Sequence, residues 1–212
     1  MSGVLVSIMG PVGVGKTTLA RHLAAELPAR LIEEDYQGNP FLEEAYAGVP
    51  DARLPAQAYF LLSRVKQLDR RGLDGLAVSD YAFCQDAIFA ACNLTGQDLR
   101  AYRRLARVAG KYVQPPSVMI HLDAAEPTLL ERMAARGRSF ERNITAEFLS
   151  RLRQAYRRAA AQVRRPVLAV DCEQVNLMDP LRRAELLARL HKALGQMQMR
   201  GHVVRRPAAV RP

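Results

Sequence analysis

Tryptophan is absent from the 212 residues, aromatic side chains make up only 6% of them, and cysteine occurs three times, at Cys84, Cys92 and Cys172. The three thiols have no CxxC spacing and no histidine at ligand intervals, which excludes a zinc-ribbon pattern and a disulfide framework. The few aromatic residues do not interleave with a basic stripe, as stacking on nucleobases requires. The four histidines are scattered, and His22 and His121 read as structural residues. No apolar stretch approaches the about 20 residues that span a bilayer. The first apolar run has no basic segment before it, so it reads as a strand and not a signal peptide. A reducing cytoplasm, with no membrane partner, is the expected setting.

Acids are also in short supply: 21 Asp and Glu stand against 31 Lys and Arg, a formal net charge of +10, and almost all the cations are arginine. Without aromatic interleaving, this surplus points to phosphate-bearing ligands and a basic tail more than to nucleic acid. The apolar fraction of 49% and charged fraction of 25% are ordinary for a folded protein. The length suits one buried core, so a single domain is expected over residues 1–199. Residues 200–212 hold four arginines, two prolines and no acid, and read as a mobile basic tail.

What the sequence does contain is organised around residues 10–17, Gly-Pro-Val-Gly-Val-Gly-Lys-Thr, directly after the apolar run Val4-Leu5-Val6-Ser7-Ile8-Met9. Strand, glycine turn and helix in that order form the context of the GxxxxGK[ST] phosphate cradle. Gly10, Gly13 and Gly15 let backbone N–H groups face inward as an anion nest at a helix N-terminus. Lys16 supplies a cation for the β- and γ-phosphates of ATP, Thr17 a hydroxyl for Mg²⁺, and Thr18 continues the cradle.

Strands and helices alternate along the chain. Helix is expected over residues 16–27, 41–46, 54–68, 86–91, 96–109, 126–135, 145–164 and 180–194. Strand is expected over 4–9, 29–32, 76–78, 117–122 and 167–170. Such alternation predicts an α/β fold of the P-loop kinase type, a five-stranded parallel sheet with helices on both faces. Two strand ends carry acids: Glu33-Glu34-Asp35 after the second, and Asp80 after the third, in the position of a Walker B acid beside the metal. Arg132, Arg136 and Arg138 surround a glycine at a helix end and read as a closing arginine lid over the transferring phosphoryl. No Asn-Lys-x-Asp guanine reader is present, which argues against a Ras-type GTPase.

Taken together over roughly residues 3–172, these pieces resemble the deoxynucleoside kinases, and in that family's order. Glu33-Glu34-Asp35, followed by Asn39-Pro40-Phe41-Leu42, is similar to the segment whose glutamate is the general base for the sugar 5′-hydroxyl; the resemblance assigns that role to Glu34. Gln57-Ala-Tyr59-Phe-Leu-Leu-Ser63-Arg64 resembles the helix whose Gln and Arg bind the nucleobase, and Asp86, ahead of Ile88-Phe89-Ala90, resembles the base-contacting aspartate. Tyr46 and Glu141 would hold the 3′-hydroxyl. The resemblance also implies a homodimer built through helices near residues 54–68 and 99–109. One departure stands out: where the family has Glu-Arg-Ser or Asp-Arg-Ser after strand three, this chain reads Asp80-Tyr81-Ala82. Either Tyr81 donates a hydrogen bond to the substrate in place of the arginine, or a lid arginine reaches in.

The expected activity is ATP-dependent phosphorylation of a purine deoxynucleoside or deoxycytidine. Three clustered acids would repel a monophosphate acceptor but can take the proton of a neutral hydroxyl. Two rival readings are a nucleoside monophosphate kinase of the thymidylate kinase type, and a basic P-loop protein that binds nucleic acid or regulates without turnover.

Overall fold

A computed structural model describes residues 3–199. Five strands, β1 (Val4–Met9), β2 (Arg30–Ile32), β3 (Leu76–Ser79), β4 (Val118–Asp123) and β5 (Val167–Asp171), form one sheet in the order β2-β3-β1-β4-β5. Every pairing is parallel, as expected. A parallel sheet needs crossover helices, and these are α1 (Lys16–Glu26), α2 (Leu42–Tyr46), α3 (Pro50–Gln67), α4 (Cys84–Asn93), α5 (Gly96–Ala109), α6 (Glu126–Arg136) and α7 (Ala146–Gln162), with α8 (Pro180–Met199) following the last strand. The basic tail expected over residues 200–212 lies outside the described residues.

Strand β1 is buried along its whole length, and the alternation of its side chains divides the core in two. Val6 and Ile8 pack with Leu19 and Leu23 of α1, Leu129 of α6 and Leu186 and Leu190 of α8. On the other face Leu5 meets Leu68 and Tyr81, while Met9 meets Ile88 of α4 and Leu152 and Tyr156 of α7. Helices therefore cover both faces. At the end of β4, Asp123 accepts hydrogen bonds from Arg153 at 2.8 Å and Arg157 at 2.7 Å, tying α7 to the sheet.

Several boundaries differ from expectation: α4 spans Cys84–Asn93 where 86–91 is expected, and α8 runs to Met199 where 194 is expected. Helix α3 begins at Pro50 and runs through Pro55, where the sequence suggests a start at residue 54. Pro50 occupies the first helical turn, where its missing N–H is harmless. Burial of Ala52, Ala56 and Leu61 then carries the helix past Pro55. A 3₁₀ turn, Ser139–Glu141, also follows α6 where the sequence pattern gave no signal.

Candidate active site

Because all strands run the same way, their C-terminal ends lie along one edge of the sheet, and that edge opens into a cavity of about 400 Å³. At its floor, β1 passes into the glycine turn and α1 begins at Lys16 after Gly15, which sits at φ 101°. Two of the glycines are required by close approach. A Cβ on Gly10 (φ 152°) would lie 2.3 Å from the Leu122 carbonyl oxygen, and one on Gly13 (φ 83°) would lie 2.8 Å from that of Leu129. Gly13, Gly15, Lys16, Thr17 and Thr18 line the cavity, whereas Gly10 closes the turn beneath it. The Lys16 ammonium donates to the carbonyls of Gly10 at 3.0 Å and Pro11 at 2.9 Å. Burial lowers its pKa to about 8, against the opposing pull of Glu34 and Asp80.

Beside the cradle, Thr17 Oγ1 donates to Asp80 Oδ2 at 2.5 Å, and the other Asp80 oxygen accepts the backbone N–H of Glu34 at 2.8 Å. Burial raises the pKa of Asp80, with the Thr17 hydrogen bond acting the other way. No cluster of three or more His, Cys, Asp or Glu side chains suited to a metal occurs among the described residues. One hydroxyl and one carboxylate do fit a hard cation whose remaining ligands are phosphate oxygens and water.

The three acids after β2 separate in space. Glu33 turns outward to Arg21, with Oε1 2.5 Å from its Nε. Asp35 accepts from Tyr59 at 2.7 Å and from the N–H of Gly38 at 3.0 Å, closing its own loop. Only Glu34 faces the cavity. There it pairs with Arg64, a side chain of α3 that is 3% exposed and pairs through its other terminal nitrogen with Asp86 of α4. Burial alone would lower the Arg64 pKa, but Asp86 and Glu34 outweigh it and hold the guanidinium above its ordinary value. Asp86 is pushed up to about 6 by burial, against the pull of Arg64.

Gln57, Arg64 and Asp86, the expected base-reading set, share this end of the cavity, and Gln57 Oε1 and Asp86 Oδ2 have no hydrogen-bond partner. Gln85, which the sequence pattern did not single out, lines the same wall with an unpartnered Oε1. Its neighbour in sequence, Asp86, was the only signal that could have drawn attention to it. Tyr46 also lines the cavity and meets Phe140 edge-on at 5.4 Å.

Of the lid arginines, Arg136 and Arg138 line the cavity. Arg136 Nη2 lies 2.5 and 2.6 Å from the two oxygens of buried Glu141, and the guanidinium of Arg138 covers the ring of Tyr36 at 3.9 Å. Tyr36 and Phe140 are further wall residues that sequence reasoning missed.

Two residues expected at the site lie off the cavity lining. Arg132 does not line the cavity; it reaches the carbonyls of Val14 and Cys172 at 3.5 and 3.4 Å, bracing the glycine turn against the end of β5. Nor does Tyr81 line the cavity: it is 0% exposed, packed in the core with Leu5 and Leu68, and its hydroxyl donates to Gln67 at 2.6 Å. His121 lies buried and stacked on Tyr156, and the three cysteines are free.

A family model described as deoxynucleoside kinase matches residues 6–194. The deoxyguanosine kinase of Bacillus subtilis is 31% identical over 176 residues, covering 78% of this chain and 85% of that protein. The deoxyadenosine kinase of Dictyostelium discoideum is 27% identical over 197 residues, covering 88% and 79%. Among solved structures, the deoxyadenosine kinase from M. mycoides with bound dCTP superposes with a TM-score of 0.78 at 24% identity, over 89% of this chain and all of that one.

Proposed function

Because the chain belongs to the deoxynucleoside kinase family and so phosphorylates a deoxynucleoside, we propose that it moves the γ-phosphoryl group of ATP to the 5′-hydroxyl of a purine deoxynucleoside or deoxycytidine, with Glu34 as proton acceptor. The observation that carries this reading is the isolation of Glu34. It alone of the three acids enters the cavity, between the phosphate cradle and the carboxylate and amides suited to a nucleobase. A single carboxylate there suits a neutral hydroxyl and would repel an acceptor phosphate, which also speaks against a monophosphate kinase.

On this reading the Gly13 to Gly15 backbone and Lys16 hold the triphosphate. Thr17 and Asp80 would hold Mg²⁺, which when bound neutralises charge on the phosphate oxygens. The 5′-oxygen attacks phosphorus as its proton passes to Glu34. The bond from phosphorus to the β,γ-bridging oxygen breaks, and its electron pair leaves on ADP. Arg136 and Arg138 stabilise the charge spread over the transferring group, Arg136 exchanging Glu141 for phosphoryl oxygens, while Tyr46 and Glu141 take the sugar 3′-hydroxyl.

The test is ADP release with ATP and Mg²⁺ against the four deoxynucleosides and their monophosphates. Turnover of a deoxynucleoside that collapses in Glu34→Ala supports the reading; turnover of monophosphates alone, with Glu34 dispensable, overturns it.

A homodimer is part of the same proposal. Leu62 of α3 and Leu105 and Val108 of α5, with Tyr112 just beyond, are 57%, 40%, 54% and 52% exposed, more large apolar surface on two neighbouring helices than a lone domain gains by leaving wet. A sedimenting monomer at micromolar concentration would remove it.

A further inference from the structure

Tyr81 and Gln67 bear on Glu34 from two directions. The C=O of Glu33 and the N–H of Glu34 belong to one peptide group. The N–H is taken by Asp80 at 2.8 Å, and the C=O accepts from the Gln67 side-chain amide at 2.8 Å. The carbonyl oxygen of that amide in turn accepts from the Tyr81 hydroxyl at 2.6 Å. Adjacent residues 80 and 81 thus hold the two sides of one peptide plane, one directly and one through Gln67.

The ring of Tyr81 acts on the side chain of Glu34 as well. The Arg64 guanidinium lies 4.7 Å from the Tyr81 ring centroid and 5.5 Å from that of Phe60, so a buried cation stands over two aromatic rings. From there Arg64 reaches Glu34 and Asp86 together. Tyr81 is itself fixed from behind: its carbonyl accepts from Ser79 Oγ at 2.7 Å, and Ser79 meets Ser7 of β1 at 2.9 Å. Arg64 and Gln67 stand three residues apart on α3, so a single tyrosine addresses both on one helix face.

We propose that Tyr81 and Gln67 are positioning residues that fix the peptide plane and side chain of Glu34, with Tyr81 doing so from the core and without touching substrate. The inference rests on the reading of Glu34 as proton acceptor. An acceptor displaced by an ångström can lose about 10²-fold in rate, and Glu34, on a loop after a three-residue strand, is held by Asp80 and Arg64 together with the Gln67 link.

The experiment measures the single-turnover rate of phosphoryl transfer, with the KM of each substrate, for Tyr81→Phe, Gln67→Met and the double variant, alongside Glu34→Ala. Each single variant is expected to lower the transfer rate about tenfold with the KM for ATP within about twofold of wild type. The double variant should be no slower than the worse single one, because both break the same link. Tyr81→Leu, which also removes the ring beneath Arg64, should additionally raise the nucleoside KM. Wild-type transfer rates in both single variants, additive losses in the double, or a matching rise in the ATP KM would each overturn the proposal. Gln67 is only half-buried, so its variant decides the matter if a Tyr81 variant does not fold. If Glu34→Ala keeps full activity, the proton-acceptor reading fails; if Glu34→Ala is inactive while the other variants are unaffected, only the positioning proposal fails.

Discussion

The hydroxyl of Thr17 lies 2.5 Å from Oδ2 of Asp80, joining the first residues of α1 to the end of β3. This hydrogen bond keeps together the two oxygens proposed to hold Mg²⁺. Asp80→Asn preserves the shape and removes the charge. It should lower turnover by about 10²-fold or more and raise the Mg²⁺ concentration needed for half-maximal activity, as a magnesium titration of the ADP-release rate would report. An unchanged magnesium requirement would place the metal elsewhere.

On the proposed mechanism, the groups that meet the phosphoryl should outrank the proton acceptor. Electrostatic partners of the transferring group are worth about 10³ to 10⁵ in rate and a general base about 10² to 10⁴. Lys16→Ala and Arg136→Ala should therefore each turn over more slowly than Glu34→Ala under saturating substrates. A Glu34→Ala enzyme slower than both would reverse the ranking.

Lys16 gives the free enzyme a pH limit. Its pKa is lowered by burial to about 8, so in the folded protein it loses its proton well before the unfolded chain does. The burden of burying that charge is fully present below pH 8 and is relieved as pH rises toward the unfolded value, so this group makes the unliganded protein more stable with rising pH in that window. Affinity for triphosphate runs the other way, because only the ammonium attracts phosphate. Binding of ATP followed by calorimetry should weaken about fivefold between pH 8 and pH 9 and take up a proton, and Lys16→Met should remove this dependence. A pH-independent affinity in the wild type would exclude Lys16 as the titrating group.

Base preference follows from an orphaned acceptor. Asp86 Oδ2 is buried and unpartnered, and an unmet buried acceptor is worth about 1 to 3 kcal/mol to whichever ligand supplies a donor. Adenine, guanine and cytosine carry an exocyclic amine, whereas thymine presents a carbonyl that the carboxylate repels. In competition, thymidine should be phosphorylated more slowly than deoxyadenosine, deoxyguanosine and deoxycytidine. Equal or faster use of thymidine would refute the assignment.

How far the sequence reaches can be judged at particular residues. The glycine turn, Lys16, Thr17 and the alternation of strand and helix are local features: spacing alone dictates which N–H groups converge and which side chains face the sheet. Asp80 was legible because an acid at the end of a buried parallel strand has one edge to occupy. By contrast, Glu33, Glu34 and Asp35 are three like residues in a row, and which of them enters the cavity was settled by distant partners, Arg21 for Glu33 and Tyr59 for Asp35. Arg132 and Arg136 are one helical turn apart on α6, yet the first reaches the carbonyl of Val14 in the glycine turn and the second lines the cavity. Tyr81 occupies a position where a substrate contact was expected; burial turned it inward, and its work passes through Gln67 and Arg64. The sequence by itself determined the sheet, the phosphate cradle and the class of chemistry, because these depend on spacing along one chain segment. The resemblance already singled out Glu34 among the three acids; what turns Glu33 and Asp35 away and what holds Glu34 was decided by the tertiary structure alone, because ion pairs and hydrogen bonds between segments far apart in sequence leave no period to read.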